Sequence, residues 1–240
     1  MRAVGSGTKT YFEASRSHRY SLLFALPLLV AYELLEAVSP VRASGGVVRN
    51  GADVVLTGLF TWALGTRGPL VFMGIVIGVS LWLIWRDRKG GPIRPAFFGI
   101  MFAESAMLSL AFGIVVGVAT AKLLGLSLAP ASPGALAKLT LSIGAGLYEE
   151  LLFRVILVAL IANGMRFIGF SKLFAGIIAT VVGAIVFSAF HYIGSLGDAF
   201  TVQSFVFRAV AGVAFSALYL TRGFGITAWT HALYDIAVMM

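Results

Sequence analysis

The sequence has no cysteine, which excludes disulfides, thiolate metal ligands and a cysteine nucleophile together. Charge is also scarce. Asp, Glu, Lys and Arg make up 12% of the 240 residues, about half the share of a soluble domain. With 59% hydrophobic residues and a mean hydropathy of +0.96, an ordinary soluble enzyme and a disordered chain are both excluded. Acidic residues are the scarcer sign, 10 against 18 Lys and Arg. The cations lie mostly in short clusters between apolar runs, where they set membrane orientation, so the net charge of +8 does not indicate a nucleic-acid partner.

What is abundant is apolar sequence in runs of membrane length. They fall at about 20–38, 52–65, 68–85, 96–121, 138–164, 171–193, 200–220 and 224–239, separated by turn-formers or charge such as Ser39-Pro40, Arg86 to Pro92 and Pro130 to Gly134. At roughly 20 residues per crossing, the expectation is an all-α, polytopic membrane helix bundle of about seven to eight transmembrane helices. The run 52–65 is short and carries Asp53, so it reads as re-entrant, interfacial or a short buried helix. If it does not cross and the N-terminus is cytoplasmic, Arg2, Lys9, Arg16 and Arg19 share the inner face with the 86–94 cluster, Arg166, Lys172 and Arg222. Arg42, Arg49, Arg67, Lys122 and Lys138 then lie outside, which obeys the positive-inside rule; an eighth crossing removes the bias. The chain divides into a basic cytoplasmic leader (1–19), N-terminal membrane helices (20–130) and core helices (131–240). Short loops and a short leader suit a bacterial inner membrane. The first apolar run keeps Glu33 and Glu36 and has no small-residue cleavage site, as expected of a retained helix. Gly74/Gly78 and Gly113/Gly117, four apart within apolar runs, predict close helix crossings.

Ionisable side chains in hydrocarbon are costly, and they cluster in the last hundred residues: Glu149, Glu150, Arg154, His191, Arg208, His231 and Asp235. Two of the chain's three histidines are among them. At 100° per residue Glu150 and Arg154 stack as an ion pair, while Glu149 points away and is the candidate general base for water. His231 and Asp235, also four apart, predict a carboxylate that fixes the imidazole tautomer. Arg208 could hold a substrate carboxylate or pair with a glutamate. Glu33, Glu36 and Glu104 read as interhelical hydrogen-bonding groups. Glu149, His191 and His231 could in principle bind zinc, but the HExxH pair is absent and no cofactor is expected. Ser188 and Ser142 lack a nucleophile elbow.

Glu149-Glu150-Leu151-Leu152-Phe153-Arg154, Phe187 to His191 and His231 to Asp235 resemble, in order and spacing, the EExxxR, FxxxH and HxxxN/D motifs of the CPBP family of intramembrane proteases. That family includes CAAX prenyl endoproteases and bacteriocin-processing or self-immunity proteins. The stretch Phe207 to Leu220, through Gly212, resembles a further, less specific motif. The resemblance covers about 135–240; the first 130 residues are similar only in being hydrophobic. It implies a polar catalytic cavity among the later helices and a membrane-protein or peptide substrate met in the lipid bilayer. Glu149 would activate water, His191 would share that water or protonate the leaving amine, and His231 would donate to the oxyanion alongside Asp235. Glu150 and Arg154 would brace the site, with Phe187 packed beside it. Where prenyl endoproteases carry Asn at the last position this chain has Asp235, whose carboxylate cannot donate, so its expected role is to orient His231. Two other classes stay open: a proton or cation transporter using the same groups as a relay, and a non-catalytic peptide-binding immunity or scaffold protein.

Overall fold

The computed structural model describes residues 10–38, 49–124, 134–194 and 197–240, and all regular structure among them is helical. Arg2, Lys9, Arg42, Ser39-Pro40 and 130–133 lie outside the described residues. Thr10 caps a short α1 (Tyr11–Ser15) with a capping box to Glu13. The apolar runs then fold as α2 (His18–Val38), α3 (Gly51–Leu64), α4 (Gly68–Arg86), α5 (Pro95–Leu124), α6 (Ala135–Gly144), α7 (Ala159–Phe167), α8 (Lys172–Phe190), α9 (Val202–Arg222) and α10 (Phe224–Met239). Between α6 and α7 the chain continues without a break as a π-helical segment, Ala145–Val158, whose wider turn departs from the 100° spacing that the sequence suggests.

Among the described residues five stretches are long and apolar enough to cross a membrane: His18–Val38, Gly51–Gly90, Pro95–Val118, Lys172–Phe190 and Val202–Arg222. The protein is a polytopic helical membrane bundle. Within Gly51–Gly90 the chain turns at Gly65–Arg67, and Phe60 packs on Phe72 at 5.4 Å, so α3 folds back on α4. At 14 residues α3 is about 21 Å long, short of the ~30 Å hydrocarbon core.

One end of the bundle gathers basic residues. Arg19 donates to the carbonyl of Gly91 at 2.8 Å and His18 lies 3.3 Å from Asp87, which joins the start of α2 to the end of α4. Arg222 reaches the same end, donating to Glu104 at 2.6 and 2.8 Å and to Ser15 at 2.9 Å. Arg19, the 86–94 cluster and Arg222 thus share a face, as they do in the seven-crossing reading.

The glycine pairs come out differently. A Cβ on Gly74, Gly78 or Gly117 would meet nothing within 4 Å, and one on Gly113 only the Tyr234 ring edge at 3.9 Å. These residues do not sit at tight crossings. Close approaches beside the acidic pair are at Gly144, where a Cβ would lie 2.7 Å from Asn50 Cβ, and at Gly146, where it would lie 2.7 Å from Ala232 Cβ; Gly183, Gly212 and Gly225 are similarly tight elsewhere in the bundle. Gly144 directly precedes the π-helical segment and Gly146 lies in its first turn, and they let α3 and α10 press against it.

Candidate active site

Glu149 and Glu150 enter the bundle side by side on the π-helical segment, buried where α3, α8 and α10 converge on it. Glu150 Oε1 accepts from His231 Nδ1 at 2.6 Å and lies 3.1 Å from Arg154 Nη1. Arg154 is fully buried, with its guanidinium 4.4 Å above the Phe187 ring and 5.5 Å from that of Phe215. Such cation–π contact and an adjacent carboxylate are what make a buried charge tolerable. Phe215 also stacks on His231, with centroids 4.2 Å apart and planes at 18°. The imidazole therefore has both its plane and its Nδ1 proton fixed.

That partner differs from the one the helix spacing suggests. Asp235 Oδ2 lies 3.7 Å from His231 Nε2, beyond hydrogen-bond reach, so Glu150 and not Asp235 receives the imidazole proton. Counting along one helix finds neighbours four residues away but not the carboxylate that an adjacent helix brings closer.

Glu149 has two distinct oxygens. Oε1 accepts from Asn50 Nδ2 at 2.8 Å, and Oε2 faces His191 Nε2 at 3.9 Å. His191 Nδ1 lies 2.9 Å from the Phe187 carbonyl, which can only accept, so Nδ1 carries the proton and Nε2 presents its lone pair to Glu149. Two acceptors at that separation can share one water at ordinary hydrogen-bond distance. His191, at the end of α8, and Asp235 are the more open members, with 22% and 17% of their side chains exposed; the others are sealed in. Phe187 packs edge-on against His191 and Phe153, at 4.9 and 5.1 Å.

Arg208 does not meet the glutamates; it pairs with Asp198 at 2.5 Å, and its guanidinium lies 5.2 Å from the Tyr192 ring. Glu33 accepts from Tyr148 at 3.0 Å, Glu36 lies 3.2 Å from Arg49, and Glu104 holds Arg222 and Tyr11, so all three serve helix contacts. A cavity of about 820 Å³ between α2, α3, α4, α9 and the π-helical segment is apolar, lined by residues such as Leu22, Phe72, Val76 and Leu152, and touches none of the cluster. Among the described residues no group of three or more His, Asp or Glu is arranged to hold a metal ion. Asn50 is the contact that the sequence reading missed. The available signal was an Asn directly before an apolar run, the mark of a helix N-cap.

A buried carboxylate thus faces an imidazole inside a helical membrane bundle. There is a match over residues 130–237 to the family described as type II CAAX prenyl endopeptidase, Rce1-like. It includes every residue of the cluster except Asn50. No curated protein and no solved structure matches the chain.

Proposed function

We propose that the protein is an intramembrane endopeptidase of the glutamic type, cutting a peptide bond near the membrane surface with water activated by Glu149. The observation that carries this reading is the 3.9 Å gap between Glu149 Oε2 and His191 Nε2, with the carboxylate's other oxygen already tied to Asn50.

A water in that gap donates to both acceptors and turns its lone pair toward the scissile carbonyl. As its oxygen bonds to the carbonyl carbon, the proton passes to Glu149. His231, protonated on both nitrogens between Glu150 and Asp235, donates from Nε2 to the developing oxyanion. Asp235, 3.7 Å from Nε2, lines the open side toward which that N–H points. When the tetrahedral intermediate collapses, the C–N bond breaks and the proton taken from water is delivered, through His191, to the leaving amine. Glu150, Arg154 and Phe187 hold His231 and His191 in place. No step calls for a metal or a cofactor.

The depth of the site suggests which face is cut. Tyr32, which packs against Tyr148 next to Glu149, lies 14 residues along α2 from His18, about 21 Å from the basic end. With that end cytoplasmic, in a bacterial inner membrane, the cut lies in the outer half of the bilayer. Prenylation of the substrate is not required by any residue of the cluster.

The test compares protein termini across the proteome in cells carrying wild type or Glu149→Gln at equal membrane abundance. A small set of new termini near membrane segments, present only with Glu149, is expected. Unchanged termini with a retained cellular phenotype would overturn catalysis in favour of peptide binding.

A further inference from the structure

Asn50 lies outside the family-matched segment, 99 residues before Glu149, at the point where α3 begins. Its side chain is used at both ends. Oδ1 accepts from the backbone N–H of Ala52 at 2.9 Å, which caps α3, and Nδ2 donates to Glu149 Oε1 at 2.8 Å. The cap settles which way the amide points, because turning it over would lose the bond to Ala52 and set two oxygens against each other. The backbone of Asn50 is fixed in turn. Its N–H donates to the Tyr32 hydroxyl at 3.1 Å; that hydroxyl donates to Asp53 at 2.8 Å; and Arg49 holds Asp53 through two bonds of 2.7 and 2.8 Å. Asn50, Tyr32 and Asp53 are all buried. Gly144 leaves the space for this corner to lie against the π-helical segment, since a Cβ there would sit 2.5 Å from the Tyr32 ring.

A helix cap alone does not need asparagine, because serine and aspartate cap equally well. Aspartate would put a second carboxylate beside Glu149, and serine is too short to reach it. Asparagine is the capping residue that also donates a hydrogen bond at that distance.

Resting on the endopeptidase reading above, we infer that Asn50 is a positioning residue for Glu149: it occupies one carboxylate oxygen and leaves Oε2 as the atom facing His191. The α3–α4 hairpin, apolar and outside the family-matched segment, is thereby part of the catalytic arrangement. The other charged or titratable groups around Glu149 are His191 from α8, His231 and Asp235 from α10, and Glu150 and Arg154 on its own segment.

The test uses the full-length protein in nanodiscs with Asn50→Ser and Asn50→Asp, both of which keep the cap. Protonation of Glu149 is followed by isotope-edited infrared spectroscopy, assigned by the band missing in Glu149→Gln. Kinetics use a quenched fluorogenic peptide spanning a junction whose cleavage depends on Glu149. A donated hydrogen bond favours the charged carboxylate, so its loss in Asn50→Ser raises the pH at which Glu149 protonates by about 1 unit. The acid limb of kcat/KM moves up by the same amount, kcat falls ~10- to 100-fold and KM stays near wild type. Asn50→Asp shifts both further, through like-charge repulsion. A Glu149 midpoint in Asn50→Ser equal to wild type overturns the inference. So does lost activity with an unchanged pH profile, which is what damage to the cap alone would give. If wild type cleaves nothing in a Glu149-dependent way, the endopeptidase reading fails, and the infrared midpoint still decides whether Asn50 governs Glu149.

Discussion

Replacing Glu150 with Gln keeps the volume of the side chain and removes its charge, so it isolates what the carboxylate contributes. Glu150 and Arg154 are both 0% exposed, and one oxygen, Oε1, meets Arg154 at 3.1 Å and His231 at 2.6 Å. Removing one partner of a buried pair leaves the other charge uncompensated, at a cost of about 3–5 kcal/mol. The rings of Phe187 and Phe215 remain beside Arg154 and Glu149 remains nearby, so the expected loss is at the lower end, about 3 kcal/mol. For a chain of this size that lowers Tm by about 6–12 °C. The assay is thermal unfolding in nanodiscs, followed by the fluorescence of the four tryptophans. The companion Glu150→Leu with Arg154→Met removes both charges and should recover most of the loss, because well-packed apolar residues substitute for a buried pair at little or no cost. A Tm for Glu150→Gln within about 2 °C of wild type would refute the buried-pair reasoning, as would a double variant no more stable than the single one.

Gly146→Ala forces a methyl to within 2.7 Å of Ala232 Cβ and pushes away the helix that carries His231; overpacking of this kind costs about 1–3 kcal/mol, and kcat should fall at least ~10-fold. Gly74→Ala, whose methyl meets open space, should leave Tm and kcat unchanged in the same assays, and equal effects from the two would refute the packing account. Asp235→Asn should keep most activity, since the amide keeps the shape and polarity of the group beside His231 Nε2, whereas Asp235→Ala should lower kcat with KM little changed; steady-state kinetics showing both variants fully active would remove Asp235 from the mechanism.

The elements were legible because length and hydropathy decide them: each of the eight apolar runs is helical. The acid and histidine residues were legible for a related reason, since charge in hydrocarbon has few purposes. Contacts between distant segments were not. The bond from Asn50 to Glu149 joins residues 99 apart, and no local pattern encodes it. Helix arithmetic gave His231 to Asp235, while packing gave it to Glu150. Four-residue glycine spacing pointed to Gly74/Gly78 and Gly113/Gly117, yet the tight approaches beside the site fall at Gly144 and Gly146, only two residues apart. Nothing in the sequence marked Ala145–Val158 as a π-helical segment within the 138–164 run.

Orientation decides which compartment supplies the substrate, and the contacts at the ends of the bundle make it testable. If the run 52–65 crossed the membrane, the leader and the 86–94 cluster would lie on opposite faces. Arg19 instead donates to the Gly91 carbonyl at 2.8 Å, so the two share a face. Helix α9 starts at Val202 and ends at Arg222 on that same face; at 21 residues, about 31 Å, its start lies at the other. The absence of cysteine allows single labels to be placed without background. Gly90→Cys and Ala199→Cys introduce thiols at exposed positions near the two ends. In intact cells a membrane-impermeant maleimide should label position 199 and spare 90, and permeabilisation should expose 90. The reverse pattern would place the basic end outside and move the cut site to the cytoplasmic half of the bilayer. Labelling of both before permeabilisation would mean that the ends joined by Arg19 and Arg222 do not lie across a bilayer from 199, and the bundle as a spanning structure would fall with it.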